Sequence, residues 1–316
     1  MNTPRDLTSE PLVGIERLHY ERSVVTPYTT AFGWRSLFNA VWPMVGWVSV
    51  VAAYRADKIP LLAGIVLAAV FLQAFYMPVH EAVHRTISAG RQNLVWIDRA
   101  VGSVCAFMIS ASFVEHRHIH LLHHTHANED ADPDFLNAKG SPLRVAALTV
   151  MAALLYLVLP VLTVVPGGRH LLFGLQDRLK AMATFRSRDA KRGATLVAWG
   201  HIVLLATTTL AGFAVEAWLL FYVPIWIGRV WLSLVFAWLP HHPHSEVGRY
   251  RDTRVFTFFA SNFLIRGHDY HLIHHLFPRV PHYKLRSVWR DIAPHLVVQG
   301  ARIEGTAARK LGIAPQ

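Results

Sequence analysis

Three histidine clusters each stand just beyond a long apolar run: His80-x-x-x-His84, His120-x-x-His123-His124 and His271-x-x-His274-His275. Within each cluster the imidazoles recur at i, i+3 or i+4, which is one face of a helix. Eight such side chains in three separate places point to three helix ends gathered around a metal centre. Neutral imidazole is the commonest protein metal ligand.

The apolar runs set the rest of the architecture. Ser36–Tyr54, Ile59–Val79, Val145–Pro166, Thr195–Phe213 and Ala217–Trp238 approach the roughly 20 residues that cross a bilayer. With 53% hydrophobic residues and a mean hydropathy of +0.30, the chain reads as an all-α, multi-pass membrane protein. One domain is expected over residues 1–316, with its core at about 34–283. Residues 1–33 are polar and carry Arg5, Arg17 and Arg22 without a short apolar core, so no cleavable signal peptide is expected. On a soluble chain a net charge of +11 would suggest nucleic acid. Here Lys and Arg holding cytoplasmic loops against anionic lipid explain it better, and no nucleic-acid partner is expected. The lone Cys105 excludes an internal disulfide and Cys-ligated iron–sulfur or zinc sites.

Parity constrains topology if the three clusters share one site. A crossing by Ala100–Val114 would put the first two clusters on opposite sides, so this stretch is expected to be re-entrant or to lie along the interface. Of the three runs between the second and third clusters, one must fail to cross. Val145–Pro166 is the weakest, being interrupted by Pro160, and it precedes residues 169–192, with seven Lys or Arg and two Asp. The positive-inside rule puts that segment in the cytoplasm. Four crossings in two hairpins follow, Ser36–Val79 and Thr195–Trp238, with both termini and all three clusters facing the cytoplasm. The external loops shrink to Arg55–Lys58 and Ala214–Glu216. No strand pattern competes with this helical reading.

His80-Glu81-Ala82-Val83-His84, taken alone, is also a zincin motif, with Glu81 as general base. An intramembrane zinc protease is therefore an alternative, but it leaves six box histidines without a role. A histidine-lined metal transporter is a third reading; it would place histidines inside the spans, where only His201 lies. In the second box, His116, His118 and His126 are extras outside the ligand spacing. Asp132 and Asp134 are candidates to hold ligand imidazoles through their second N–H, with a turn bearing two solvated carboxylates as the equal alternative. Another run, Leu239-Pro-His-His-Pro-His244, follows the last span and adds imidazole at the same depth. All-nitrogen donors suit iron, copper, nickel or zinc, and eight or more exceed what one ion takes. Arg229, inside the last span, is expected to snorkel to the interface.

The three boxes together resemble the integral-membrane fatty acid desaturase superfamily, which includes desaturases, carotenoid hydroxylases and ketolases. The resemblance runs from about Phe75 to about Tyr283. His84-Arg85, Asn128 with Asp132-Pro133-Asp134, Trp238-Leu-Pro-His-His-Pro and Tyr270-His-Leu-Ile-His-His-Leu-Phe-Pro lean mildly toward the carotenoid ring hydroxylase branch. The resemblance implies a helical membrane cap over a cytoplasmic domain with two iron ions. Their ligands would be His80, His84, His120, His123, His124, His271, His274 and His275, with His241 as the extra histidine after the last span; no further catalytic residue is assigned, and His268 is not counted. It implies a non-haem enzyme in the cytoplasmic membrane, its site on the cytoplasmic side. That enzyme would use O2 and two electrons to desaturate or hydroxylate a lipid, either a fatty acyl chain or a carotenoid ring. No GxGxxG fingerprint or cytochrome b5 haem loop is present, so electrons are expected from an external donor of ferredoxin or cytochrome type, steered by the basic face.

Overall fold

Four of the apolar runs become helices long and apolar enough to cross a membrane: Trp34–Arg55, Leu61–Val83, Arg188–Leu210 and Ala214–His241. The computed structural model describes residues 11–134, 138–167 and 186–313. The first two spans form one hairpin and the last two another. Small residues let them approach: a Cβ at Gly46 would strike the Phe71 ring at 2.1 Å, and one at Gly228 would meet the Gln73 Cβ at 2.9 Å. The two hairpin turns meet at one end of the bundle, where Arg55 Nη1 lies 2.9 Å from Glu216 Oε1. The histidine clusters lie at the other end. The last span is not uniform. Trp218–Tyr222 and Ser233–Trp238 are π-helical, and the second of these stretches delivers His241 at the span's end. Such stretches shift side-chain register within a helix and recur at functional sites.

Between the first two boxes the chain forms Gln92–Met108 and Phe113–His126, bent by 101°. That is the shape expected of Ala100–Val114 as a re-entrant or interfacial segment. Ser110 occupies the break with φ +54°, and Ser112 caps the second helix by accepting from the Glu115 N–H at 3.4 Å. Arg229 does not snorkel as expected. Its guanidinium donates to the Ser110 carbonyl at 2.9 Å, so the charge in the last span pins the break. An unpaired carbonyl at a chain reversal gives that charge a partner within the fold, which simple escape to water would not.

Val145–Pro166 forms the helix Pro142–Val164, capped by Ser141 and packed against the last two spans. Its expected failure to cross rests on the basic segment 169–192, of which 169–185 lie outside the described residues.

At the histidine end a second core gathers the third box. Leu272 and Ile273, on the far side of the box helix His271–Leu276, bury against Leu285, Val288, Ile292 and Leu296 of the helix Leu285–Val298. Each fully buried Leu or Ile stabilises by roughly 1.5–3 kcal/mol. The N-terminal helix Gly14–Thr29 packs on the same helix. One departure from the all-helical reading is a parallel pair of short strands, Val255–Thr257 with Ile303–Glu304, in register Val255↔Ile303. Three and two residues are too few for alternation to show in a sequence.

Candidate metal centre

Helix spacing and span ends deliver nine imidazoles to two adjoining groups. The first holds His80, His84, His120, His124 and His274; the second holds His123, His241, His271 and His275. Within each group the donor atoms lie within 4.8 Å of one another. In the first, the Nε2 atoms follow one another as a chain. His80 to His274 is 3.0 Å, His274 to His124 is 2.9 Å, His124 to His120 is 3.1 Å and His120 to His84 is 2.9 Å. In the second, His123 Nε2 is 3.1 Å from His241 Nε2, which is 3.2 Å from His271 Nε2. The His275 ring stands 4.7 Å from that of His271 and 5.0 Å from that of His241.

These spacings suit ions. A metal held about 2.1 Å from imidazole nitrogens puts two right-angled donors about 3 Å apart. Five nitrogens converging on one point would repel one another without a cation among them, and they exceed a tetrahedral zinc shell. The electrostatics agree. Burial first, and then the neighbouring imidazoles, hold His271, His274 and His275 well below the usual histidine range. They therefore stay neutral at ordinary pH, the form that binds metal.

The supports of the two groups differ. Asp132 accepts from His123 Nδ1 at 3.0 and 3.1 Å, so one of the two candidate carboxylates orients a box imidazole. Asp134 does not; its backbone N–H donates to Asp132 at 2.8 Å. The Asn128 N–H also donates to Asp132, and its side-chain amide donates to the Glu246 and Asp252 carbonyls at 2.7 and 2.6 Å. That amide fastens the end of the second box to the loop after the last span. Asp252, which the sequence gave no reason to single out, is pushed up to about 6 by burial.

Glu81 is fully engaged elsewhere. It accepts from Ser36 Oγ at 3.1 Å, from Thr86 Oγ1 at 2.6 Å and from the His282 N–H at 2.9 Å, and His282 Nδ1 lies 3.1 Å away. A general base must have a free oxygen beside the metal, so the zincin reading loses its base. Ser36 lies 45 residues from Glu81 and left no sequence signal. His282 lies 201 residues from Glu81 and likewise gave no sign of the contact. His201 Nε2 meets the Phe107 carbonyl at 3.1 Å and its Nδ1 meets the Tyr222 hydroxyl at 3.2 Å. It is a satisfied core histidine, which removes the main support of the transporter reading.

His116, His118, His126, His242, His244 and His268 fall outside both groups. His268 is nonetheless buried, with its ring 4.8 Å from that of His80 and 4.7 Å from that of Phe236.

The sequence pattern of the fatty acid desaturase family matches residues 58–305, and the chain belongs to that family. It is similar to a chloroplastic omega-3 fatty acid desaturase of Brassica napus, at 29% identity over 89 residues, 24% of this chain and 22% of that protein. It is also similar to a chloroplastic sn-2 acyl-lipid omega-3 desaturase (ferredoxin) of Arabidopsis thaliana, at 31% identity over 89 residues, 24% of this chain and 20% of that protein. The matched stretch spans about a fifth of these curated relatives. The matched region contains all three histidine boxes and His241, and so every imidazole of the two groups.

Proposed function

We propose that this protein uses O2 and two external electrons to desaturate or hydroxylate a lipid chain at a centre of two irons. The single observation that carries the reading is the sorting of nine imidazoles, seven of them buried, into two adjoining groups at one end of the membrane spans. The bound metals would supply O2 activation, and the chain does the rest. His80, His84, His120, His124 and His274 would hold one ion, and His123, His241, His271 and His275 the other. Asp132 keeps the Nδ1 proton on His123 and so leaves Nε2 free to ligate. Removing two hydrogens as a C=C bond while O2 becomes two waters takes two added electrons and two protons. Hydroxylation takes the same inputs and releases one water.

The apolar wall beside the first group fits a lipid. Met77, Leu232, Val235, Phe236 and Ile265 form one buried cluster, and the Tyr76 ring bridges it to His80 at 5.9 Å. A chain entering from the bilayer between the second and fourth spans would lay its reacting carbon under the histidines, shielded from water. The names of both relatives favour an acyl chain over a carotenoid ring. For the electron donor, Arg85 directly follows His84, and Arg117 stands one turn before His120. Neither guanidinium makes an ion pair among the described residues, which suits an acidic carrier such as a ferredoxin.

The test is expression in a host supplied with carotenoid, with lipid and pigment profiles compared against an empty control. Purified protein is then examined by elemental analysis and Mössbauer spectroscopy. A new unsaturated or hydroxylated acyl product with about two irons per chain is expected. A pigment product alone reassigns the substrate. One zinc with no iron, together with peptidase activity, overturns the reading.

A further inference from the structure

The segment Phe258–Arg266 sits against the histidine end of the spans in an unusual way. Phe258 and Ile265 pack inward on Met77, Leu232, Val235 and Phe236. Arg266 reaches back along the bundle, donating to the Ala74 carbonyl at 3.1 Å and lying 5.7 Å over the Trp42 ring. Between these anchors two phenylalanines point outward, Phe259 at 93% exposure and Phe263 at 84%. The segment holds them firmly. Asp269 accepts from Ser261 Oγ at 2.7 Å and from the Asn262 amide at 3.3 Å, and the Gly267 N–H donates to the Asn262 carbonyl at 3.0 Å. The two rings thus stand out from a segment anchored at the histidine ends of the second and fourth spans.

Behind the segment lies a cavity of about 400 Å³, within the size range of small-molecule sites, roughly 300–1,000 Å³. Phe258 and Ser261 form one wall; Trp289, Arg286, Arg290 and Lys310 form the other. The one carboxylate in its lining, Asp269, is already engaged by Ser261 and Asn262. Arg286 also reaches the Tyr270 phenol, and Arg290 donates to Ser287 Oγ at 3.0 Å. Lys310 makes no ion pair among the described residues. The cavity therefore holds an excess of positive charge immediately beside rings that suit lipid. Interfacial elements combine these two features, apolar side chains at the acyl boundary and cations at headgroup depth.

We propose that Phe259 and Phe263 enter the bilayer surface and that Arg286, Arg290 and Lys310 hold the phosphate of an anionic lipid headgroup in the cavity behind them. The site is independent of the metals and of the reaction. It fastens the third box, through Asp269, to the membrane surface.

The test uses the full chain purified in detergent with equal phosphatidylglycerol and phosphatidylcholine, and counts retained lipid by native mass spectrometry. The wild type is expected to retain phosphatidylglycerol preferentially. The preference should fall by about fivefold per cation removed in Arg290→Glu/Lys310→Glu, and partly in the milder Arg290→Ala/Lys310→Ala with thermal unfolding unchanged. Equal retention of the two lipids by the wild type, or an unchanged preference in both double variants, overturns the headgroup site. Inorganic phosphate at millimolar concentration should leave the lipid bound; displacement of the lipid would assign the cavity to free phosphate instead. A spin label at Phe259→Cys, in a Cys105→Ala background in vesicles of the same lipids, should be reached by O2 and shielded from a water-soluble nickel chelate. Free access of the chelate overturns the insertion of the rings.

Discussion

The two histidine groups are built from the same boxes but by different rules. Successive residues on a helix are about 100° apart, whereas i and i+4 nearly eclipse. His80 and His84, and His120 and His124, are i,i+4 pairs, and both go to the first group. His271 and His275 are also an i,i+4 pair and go to the second. The member at i+3 in each HxxHH box faces the other way, so His123 joins the second group and His274 the first. Each HisHis doublet thus straddles two centres. The boxes alone give the first group five donors and the second three, and the second reaches four through His241, carried by the last span after a π-helical stretch. The first group is a product of local spacing; the second depends on how a distant helix ends.

That dependence gives the largest expected effect. His241→Ala removes the one donor from outside the boxes. Metal per chain should fall from about two to about one, with loss of lipid product, as should happen for His123→Ala or His275→Ala. His84→Ala leaves four donors in the first group and should retain more metal than His241→Ala leaves in the second. Elemental analysis of the purified variants reads this directly. Two metals and full activity in His241→Ala would break the comparison, because the second group would then not be a metal site.

A smaller effect separates the groups by their supports. Asp132 touches a member of the second group only. Asp132→Asn should lower metal affinity or activity about 10–100-fold, the usual cost of losing a carboxylate behind a ligating imidazole. Metal titration should show one weakened site and one unchanged. Two equally weakened sites would mean that Asp132 acts on the whole domain rather than through His123.

The same contrast explains what was legible in the sequence. Helical spacing and apolar length carried the four spans, the bent pair and the eight box histidines, because each is local or follows from parity, whereas His241 was reached only through the family resemblance. The strands at Val255–Thr257 and Ile303–Glu304 left no pattern at that length. Arg229 was legible as a costly charge but not as a partner of Ser110, 119 residues away. Glu81 misled for the same reason. The motif HExxH is local, while the partners that occupy its carboxylate, Ser36 and His282, come from 45 and 201 residues away. The split of each HisHis doublet was present in the spacing and needed only the 100° step to be read.

The loop that fastens the second group is itself held by the N-terminal helix. Asn128 binds the carbonyls of Glu246 and Asp252, and between these residues Arg249 and Tyr250 donate to buried Glu21, with His295 Nε2 at 3.3 Å. Burial alone would raise the Glu21 pKa. The hydrogen bonds from His295, Tyr250 and Arg249 overcome that and hold it at about 2, against about 4.5 unfolded. A depressed carboxylate stabilises the fold above its unfolded pKa and loses that contribution as pH falls toward the folded value. Thermal unfolding of metal-free protein should therefore show up to about 3 kcal/mol lost between about pH 4.5 and 2, and Glu21→Gln should flatten that part of the profile. An unchanged slope in Glu21→Gln would assign the acid sensitivity to other carboxylates.

The smallest effect is expected on the solvent side of the second box. His126 lies two residues beyond His124 and belongs to neither group. Its Nδ1 meets Glu129 Oε2 at 3.2 Å, with the side chains 35% and 53% exposed. An exposed pair at this spacing is worth about 0–1 kcal/mol. His126→Ala should therefore keep about two metals, full lipid product and an unfolding midpoint close to the wild type. His124→Ala, made in parallel, removes one donor from a chain of nitrogens spaced at 2.9 and 3.1 Å and should lose metal. The two substitutions are chemically identical and two residues apart, about 200° around the helix axis. If His126→Ala loses metal and His124→Ala does not, the box is turned, and the division of its doublet between the two groups falls with it.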